Sequence, residues 1–417
     1  LTTLVLVALA LVGVPLFVVL GAAALVATRA AELDPALLMV EFARLASSPN
    51  LVAIPLFVLA GTVLERGGAP ARLVRFFNAL LGWMPAGIGW VATATCMLFT
   101  AFSGASGVTI LALGGLLYPM LKREGYPQKF ALGLVTAGGS MGLLLPPSLA
   151  VLLYGVVAQV DIGEMFVAGL VPTLLLFVMV GGYALLRGAR AAPRHPFRTG
   201  ELAAAAREAW ADLLLPVGVI GGLAFGLLTV AELAAFTALY ALLLETIIHR
   251  TLGRAVFAPI LREASILVGS LFVILGLSLG LTNLLIDAQV PMRLLEWIQM
   301  RVSSPLEFLL WMNLALLAVG CMMDIFSAIV IVTPLLLPIA AHFGVHPVHL
   351  GIVILANLEI GYLTPPVGIN LFLASQRFGQ PVLAVFRATL PFLVLMLVWL
   401  ALLTYVPALS LWRMSGL

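Results

Sequence analysis

The chain has 417 residues, of which 63% are hydrophobic and 9% charged, with a mean hydropathy of +1.19 and a formal net charge of +3. A soluble globular protein is roughly half apolar and about a quarter charged, so this composition excludes a soluble domain and describes a polytopic membrane protein. The small net charge, with no basic tract carrying interleaved aromatics, offers no nucleic-acid surface.

The apolar runs are long and do not alternate with period two, so helices are the expected spanning element and the fold class is all-α. In chain order, spans are expected near 3–27, 50–65, 127–160, 164–187, 212–229, 231–248, 264–286, 346–376 and 382–408. The first is long enough to span and lacks a cleavage-like end, so it reads as a retained helix. The spans at 127–160 and 346–376 are broken, because the proline pairs Pro146-Pro147 and Pro365-Pro366 interrupt any helix crossing them. Two further stretches, 86–121 and 306–341, are apolar with a small polar cluster at mid-length, and read as re-entrant hairpins. Segments 70–82 and 291–302 carry arginines on an amphipathic pattern and are expected to lie along the interface. Cys96 and Cys321 stand far apart in apolar runs and read as packing residues.

Sides follow from Lys and Arg. Arg187, Arg190, Arg194, Arg198 and Arg207 put the linker between Arg187 and Trp210 in the cytoplasm, as Lys122, Arg123 and Lys129 do for their loop, and Arg250, Arg254 and Arg262 for theirs. The loop from Ala340 to Val348 has neither residue and is expected outside. The N-terminus is expected in the cytoplasm and the C-terminus in the periplasm.

The two loops with opposite signatures occupy equivalent places in a repeat. Pro119 and Pro338 stand 219 residues apart, and the same offset relates Gly125 to Gly344, Gly142 to Gly361, the two proline pairs, and Pro172 to Pro391. The reading is a first half at 1–187, a cytoplasmic linker at 188–210 and a second half at 211–417, related as the inverted repeats of secondary transporters.

Unwound backbone at membrane depth is tolerated where it is buried in protein or lines a cavity, and there its carbonyls suit a bare cation while half-helix N-termini attract carboxylates. Each half offers a hairpin tip facing a broken helix. The first cluster comprises Ser103, Gly104 and Ser106 at the tip, opposite Ser140, Gly142, Pro146, Pro147 and Ser148. The second comprises Asp324 and Ser327 at the tip, opposite Asn357, Glu359, Gly361, Thr364, Pro365 and Pro366. Hard oxygen ligands without a required titrating partner suit a metal cation better than a proton, so sodium, and no transition metal, is expected at both clusters. Asp324 could bind sodium, carry a proton or hydrogen-bond its tip, since an acid this deep is costly. Glu359 could serve the break or merely cap it. Glu232, after Thr229, reads as a capping residue. His342, His346 and His349 have metal-like spacing, but Gly344 and Pro347 interrupt the helix that would align them. No Walker loop, HExxH or GxSxG motif is present, so neither ATP hydrolysis nor protease chemistry is indicated and the protein reads as a non-enzyme without a cofactor.

The blocks FSGASGVTILALGGLLYPMLKREGYP, GGSMGLLLPPSLAVLLYG and GCMMDIFSAIVIVTPLLLPIAAHFGVHPVHLGI, with NLEIGYLTPPVGINLFLAS, resemble the large membrane subunit of tripartite ATP-independent periplasmic (TRAP) transporters. The likeness runs along nearly the whole chain. Two departures are Ser103-Gly104-Ala105-Ser106, where that family often has SGS or SGSS, and Val230-Ala231, where it often has Pro-Thr. The resemblance implies sodium-coupled uptake of an organic acid (a C4-dicarboxylate, 2-oxoacid or sugar acid) across the bacterial inner membrane. It implies a periplasmic binding protein that delivers the acid, a separate small four-helix membrane subunit, and an elevator motion of hairpins and broken helices. Two other readings are a stand-alone ion-coupled carboxylate carrier and a channel or structural membrane subunit. A continuous polar pore lining would favour the channel, but the polar residues gather in two mid-membrane clusters.

The topology has a direct check. Cysteines placed at Arg194 and His342 are expected to react with a membrane-impermeant reagent from opposite sides, and same-side labelling would end the inverted-repeat reading.

Overall fold

The structure is a computed structural model that describes residues 14, 16–46, 49–188, 196–302 and 304–413. The first half of the span expected at 3–27 therefore lies outside the described residues, as do Arg190 and Arg194 of the linker. Among the described residues every regular element is helical.

The chain opens with α1 (Leu16–Ala30), α2 (Ala36–Ala46) and α3 (Ala53–Arg66), followed by an arm, α4 (Ala69–Leu81). The first hairpin is α5 (Gly87–Ser103) and α6 (Ser106–Arg123), and the first broken helix is α7 (Gln128–Gly138) and α8 (Leu149–Ala158). Helices α9 (Ile162–Ala168) and α10 (Leu170–Gly188) complete this half. The second half runs through α11 (Thr199–Ala224), α12 (Val230–Leu243) with a π-helical last turn, α13 (Arg254–Asp287) and a second arm, α14 (Val290–Gln299). Its hairpin is α15 (Pro305–Gly320) and α16 (Ile325–His342), its broken helix α17 (Pro347–Gly361) and α18 (Ile369–Phe378), and its last long helix α19 (Val382–Tyr405).

Two boundaries and one further helix differ from expectation. Helix α11 starts at Thr199, so the later part of the expected linker at 188–210 is helix, continuous with the next span. Its alanine-rich stretch from Leu202 to Trp210 has high helix propensity and needs no lipid to form. Helix α13 starts at Arg254, ten residues before the apolar run at 264, and α2 was not anticipated. Thr229 and Glu232 do form a capping box at the start of α12, with the Glu232 carboxylate accepting from the Thr229 N–H at 2.8 Å. Among the described residues, five stretches are long and apolar enough to cross a membrane, at 162–187, 230–248, 255–287, 325–342 and 382–405.

The two halves interlock. Half-helix α8 packs on α16 of the other half's hairpin, and α18 packs on α6, while α7 lies against α19. Tyr154 of α8 donates to the Pro347 carbonyl at 2.7 Å, and Trp399 of α19 donates to the Pro172 carbonyl at 2.8 Å. Around this unit α3 packs on α12 and α13, and α1 on α13.

The first arm is clamped to the outer helices by buried ions. Arg72 of α4 reaches Asp212 of α11 through two bonds, at 2.6 and 2.7 Å, and also binds Glu245 in the π-helical turn. Arg72 is 6% exposed, Asp212 2% and Glu245 0%. One guanidinium thus bridges two carboxylates, and the fork geometry suits Asp212. Replacing Arg72 with Met is expected to cost about 3–5 kcal/mol, since it strands two buried acids. Arg75→Met, which removes only an exposed pair with Glu208, is expected to cost less than about 1 kcal/mol. Thermal unfolding of the two variants in detergent checks the contrast.

Candidate functional site

At the first tip α5 ends on Ser103, Gly104 turns the chain with φ +66°, and α6 begins at Ser106. The left-handed turn needs glycine, since a side chain there pays a steric cost. Ser103 Oγ makes only long contacts, 3.3 Å to the Ala105 carbonyl and 3.5 Å to both the Thr100 carbonyl and Thr109 Oγ1. Thr100 ties the tip to the break, 2.7 Å from Thr109 Oγ1 and donating to the Gly139 carbonyl at 2.9 Å. The first break runs from Gly139 to Ser148. A Cβ at Gly142 would meet the Met97 carbonyl at 2.0 Å, so the unwound chain sits directly on the α5 backbone.

The second tip repeats this with other chemistry. Asp324 caps α16, its Oδ1 accepting from the Ser327 N–H at 3.0 Å. Of the three roles open to Asp324, tip hydrogen bonding is the one these contacts display. The Cys321 carbonyl accepts from the Val367 N–H at 3.1 Å, and Tyr362 Oη accepts from the Ile325 N–H at 2.6 Å. A Cβ at Gly361 would lie 2.3 Å from the Gly320 carbonyl carbon, so here the last glycine of α17, just before the break, packs on its hairpin's first helix.

Between the tips lies a cavity of about 280 Å³. Its wall includes Ala105 and Ser106 of the first tip, Ile325 and Phe326 of the second, Leu143 of the first break and Tyr362 of the second. The N-termini of α6 and α16 therefore both border it, and no basic side chain is in its lining. Of the residues singled out from sequence, Gly104 and Ser106 line this space. Ser140 is buried just behind it, bonded to Asn370. Ser148, the last residue of the first break, and Ser327, beside the second tip, are fully buried, each with a hydroxyl oxygen lacking a protein partner. Thr364 bonds back to the Ile360 carbonyl at 3.1 Å. Both proline pairs, Pro146-Pro147 and Pro365-Pro366, lie in the unwound stretches.

Asn357 and Glu359, expected opposite the second tip with Glu359 beside the break, both lie in the last turns of α17 rather than in unwound backbone. Helix α17 runs on to Gly361, whereas the offset from the end of α7 would stop it at residue 357. The first half has the pair Gly138-Gly139 at this point, and the second has Asn357-Leu358-Glu359-Ile360, which supports another turn. Asn357 accordingly donates sideways to Asn313 of α15 at 2.6 Å, and Asn313 reaches Thr404 of α19. Glu359 is buried in α17 with Oε1 unpartnered. The histidines go three ways: His342 to Gln299, His346 to the start of α17, and His349 to Ser410. Sequence reasoning missed Thr100, Thr109, Tyr362 and Asn370; each is a single polar group in an apolar run, and Tyr362 and Asn370 face Leu143 and Val151 at the repeat offset.

A family model described as the DctM component of the tripartite ATP-independent periplasmic transporter matches residues 3–409. The C4-dicarboxylate TRAP transporter large permease protein DctM of Pseudomonas aeruginosa is 38% identical over 366 residues, covering 87% of this chain and 85% of the relative. The isethionate TRAP transporter permease protein DctMQ of Oleidesulfovibrio alaskensis is 35% identical over 402 residues, 95% of this chain and 63% of the relative. The ectoine TRAP transporter large permease protein TeaC of Halomonas elongata is 31% identical over 366 residues, 87% and 85% of the two chains. Among solved structures, the YdaH transporter of Alcanivorax borkumensis aligns with a TM-score of 0.59 over 91% of this chain and 88% of its own. At 16% identity that likeness is one of fold.

The cap geometry separates two roles of Asp324. Asparagine caps as well as aspartate, so Asp324→Asn is expected to keep the tip folded and to lose only the charge, whereas Asp324→Ala loses both and costs about 1 kcal/mol in stability. If the charge contacts a cation, Asn and Ala raise the half-maximal sodium concentration alike, by about ten- to a hundred-fold. Sodium titrations of uptake in both variants check this, and an unchanged midpoint leaves Asp324 as a cap alone.

Proposed function

Since this chain belongs to the DctM family, the large permease components of TRAP transporters, we propose that it takes up an organic acid with sodium as the coupling ion. Membership implies a small membrane subunit and a periplasmic binding protein as partners and a bacterial inner-membrane location. The four-helix architecture of the small subunit and the orientation of the termini are part of the proposal. The relatives are named for different cargoes, so the acid is proposed by class: a small carboxylate such as a C4-dicarboxylate, 2-oxoacid or sugar acid.

The observation that carries the reading is the cavity between two hairpin tips, bordered by the N-termini of two 18-residue helices and free of basic side chains. An anion entering it meets the positive end of α6, whose first turn has no side-chain cap, without the desolvation cost of a buried arginine, while the first turn of α16 is already held by Tyr362 and Asp324. Sodium then supplies the charge that the lining lacks. In the first cluster Ser103, Ser106, Ser140 and Ser148 offer hydroxyls, and Gly104, Gly142, Pro146 and Pro147 offer backbone carbonyls. In the second Asp324, Ser327 and Thr364 offer side-chain oxygens, and Gly361, Pro365 and Pro366 carbonyls. Two of these, Ser148 and Ser327, are buried oxygens still wanting a partner, which suits a cation. Asn357 and Glu359 stand behind the second cluster and support it from α17.

The motion proposed is an elevator, in which hairpins and broken helices travel together against α1, α3, α11, α12 and α13. The interlocking of α8 with α16 and of α18 with α6 favours one moving unit over two. Each net positive charge moved inward gains about 2.3 kcal/mol per 100 mV, so more than one sodium drives an acid steeply uphill.

The test is uptake into proteoliposomes holding this chain with its small subunit, the binding protein and labelled acids being supplied outside. An inward sodium gradient is expected to drive accumulation, and a pH gradient in choline is not. Full-rate uptake on the pH gradient alone would remove sodium from the mechanism.

A further inference from the structure

Asn370 stands at the start of α18 and is fully buried. Its Oδ1 accepts from Ser106 Oγ at 2.9 Å, and its Nδ2 donates to Ser140 Oγ, also at 2.9 Å. A side chain of the second half thus joins the first half's tip to the first half's break. Its backbone N–H donates to the Tyr362 carbonyl at 3.2 Å, and Tyr362 Oη accepts from Ile325 N–H at the second tip. The path of hydrogen bonds runs without a gap from the first break through the first tip and the second break to the second tip. Nothing at the repeat offset reproduces it, because Asn370 corresponds to Val151.

Resting on the cation-coupled reading above, we propose that Asn370 is the positioning residue that makes the two clusters fill cooperatively. A cation at the first cluster fixes Ser106 and Ser140, and both bonds fix the Asn370 amide. The Asn370 backbone in turn holds Tyr362, which holds the start of α16. Order gained at one tip is therefore order the other no longer has to gain, and the coupling acts equally in both directions. An apolar residue at this position would cut the path and leave two buried hydroxyls without their partner.

Cys321 is a native reporter at the second tip, half-buried there, whereas Cys96 is buried. The experiment follows maleimide labelling of Cys321 in the purified full chain with its small subunit, in choline chloride and along a sodium chloride series at constant ionic strength. In the wild type sodium is expected to slow labelling with a Hill coefficient above one. Asn370→Ala is expected to label about ten-fold faster in choline and to need about ten-fold more sodium for protection, with a Hill coefficient of one, as for loss of one buried hydrogen-bond partner. Asn370→Asp can accept from both serine hydroxyls and is expected to restore the slow rate. An Asn370→Ala protein that labels at the wild-type rate in choline overturns the proposal, whatever its melting temperature. Should that variant not assemble, Ser106→Ala combined with Ser140→Ala removes both side-chain ties to Asn370, and an unchanged Cys321 rate in choline overturns it equally. Labelling that ignores sodium in the wild type but still quickens in Asn370→Ala would remove the sodium reading and keep the cross-tie.

Discussion

Inside a bilayer a backbone N–H or C=O group has no water to bond, so an unwound stretch survives only where the protein itself closes it. This chain has two such stretches, and the elements around them are arranged to do that. In the first, Thr100 on the hairpin donates to the Gly139 carbonyl. In the second, the Cys321 carbonyl takes the Val367 N–H, and Tyr362 takes the N–H that opens α16. Each hairpin tip thus serves its break, and neither is stable at depth without the other. The glycines follow from the same need: backbone can meet backbone at Gly142 and at Gly361 only because no Cβ intervenes.

The repeat makes two clusters, but side chains make them different. The first tip is held by hydroxyls, Thr100 with Thr109 and Ser106 with Asn370. The second is held by a carboxylate cap at Asp324 and a phenol at Tyr362. A transporter built from two equal halves would need no bond between clusters. This one has a buried asparagine in the second half that serves the first, which follows from the way α18 crosses onto α6.

The backbone plan was legible in the sequence because it is written in glycine, proline and apolar length. The offset of 219 residues carries Ser106 to Ile325, Arg123 to His342 and Gln128 to Pro347, each the first or last residue of a helix. What was not legible depends on tertiary partners. Asn357 looks like part of a break until α17 continues for another turn, a matter of local propensity that a repeat offset does not register. Tyr362 and Asn370 look like isolated polar residues in an apolar run, and only the interlocked packing gives them their partners. The clamp at Arg72 was equally hidden, since Asp212 and Glu245 lie 140 and 173 residues away along the chain.

Charge is distributed to match. Along the hairpins and broken helices, away from their ends, the acids are Asp324 and Glu359, and Lys and Arg are confined to the ends at Lys122, Arg123, Lys129 and Arg377. The strongly ionic contacts, Arg72 with Asp212 and Glu245, hold the first arm to the outer helices instead. That separation follows from the cost of charge at low dielectric. An ion pair in the central unit would have to be carried, desolvated, with any displacement of that unit, whereas the same pair in the outer frame stays where it formed. Carbonyls, hydroxyls and helix ends attract ions without being ions, so a centre built from them can hold charge when cargo is present and remain close to neutral when it is not.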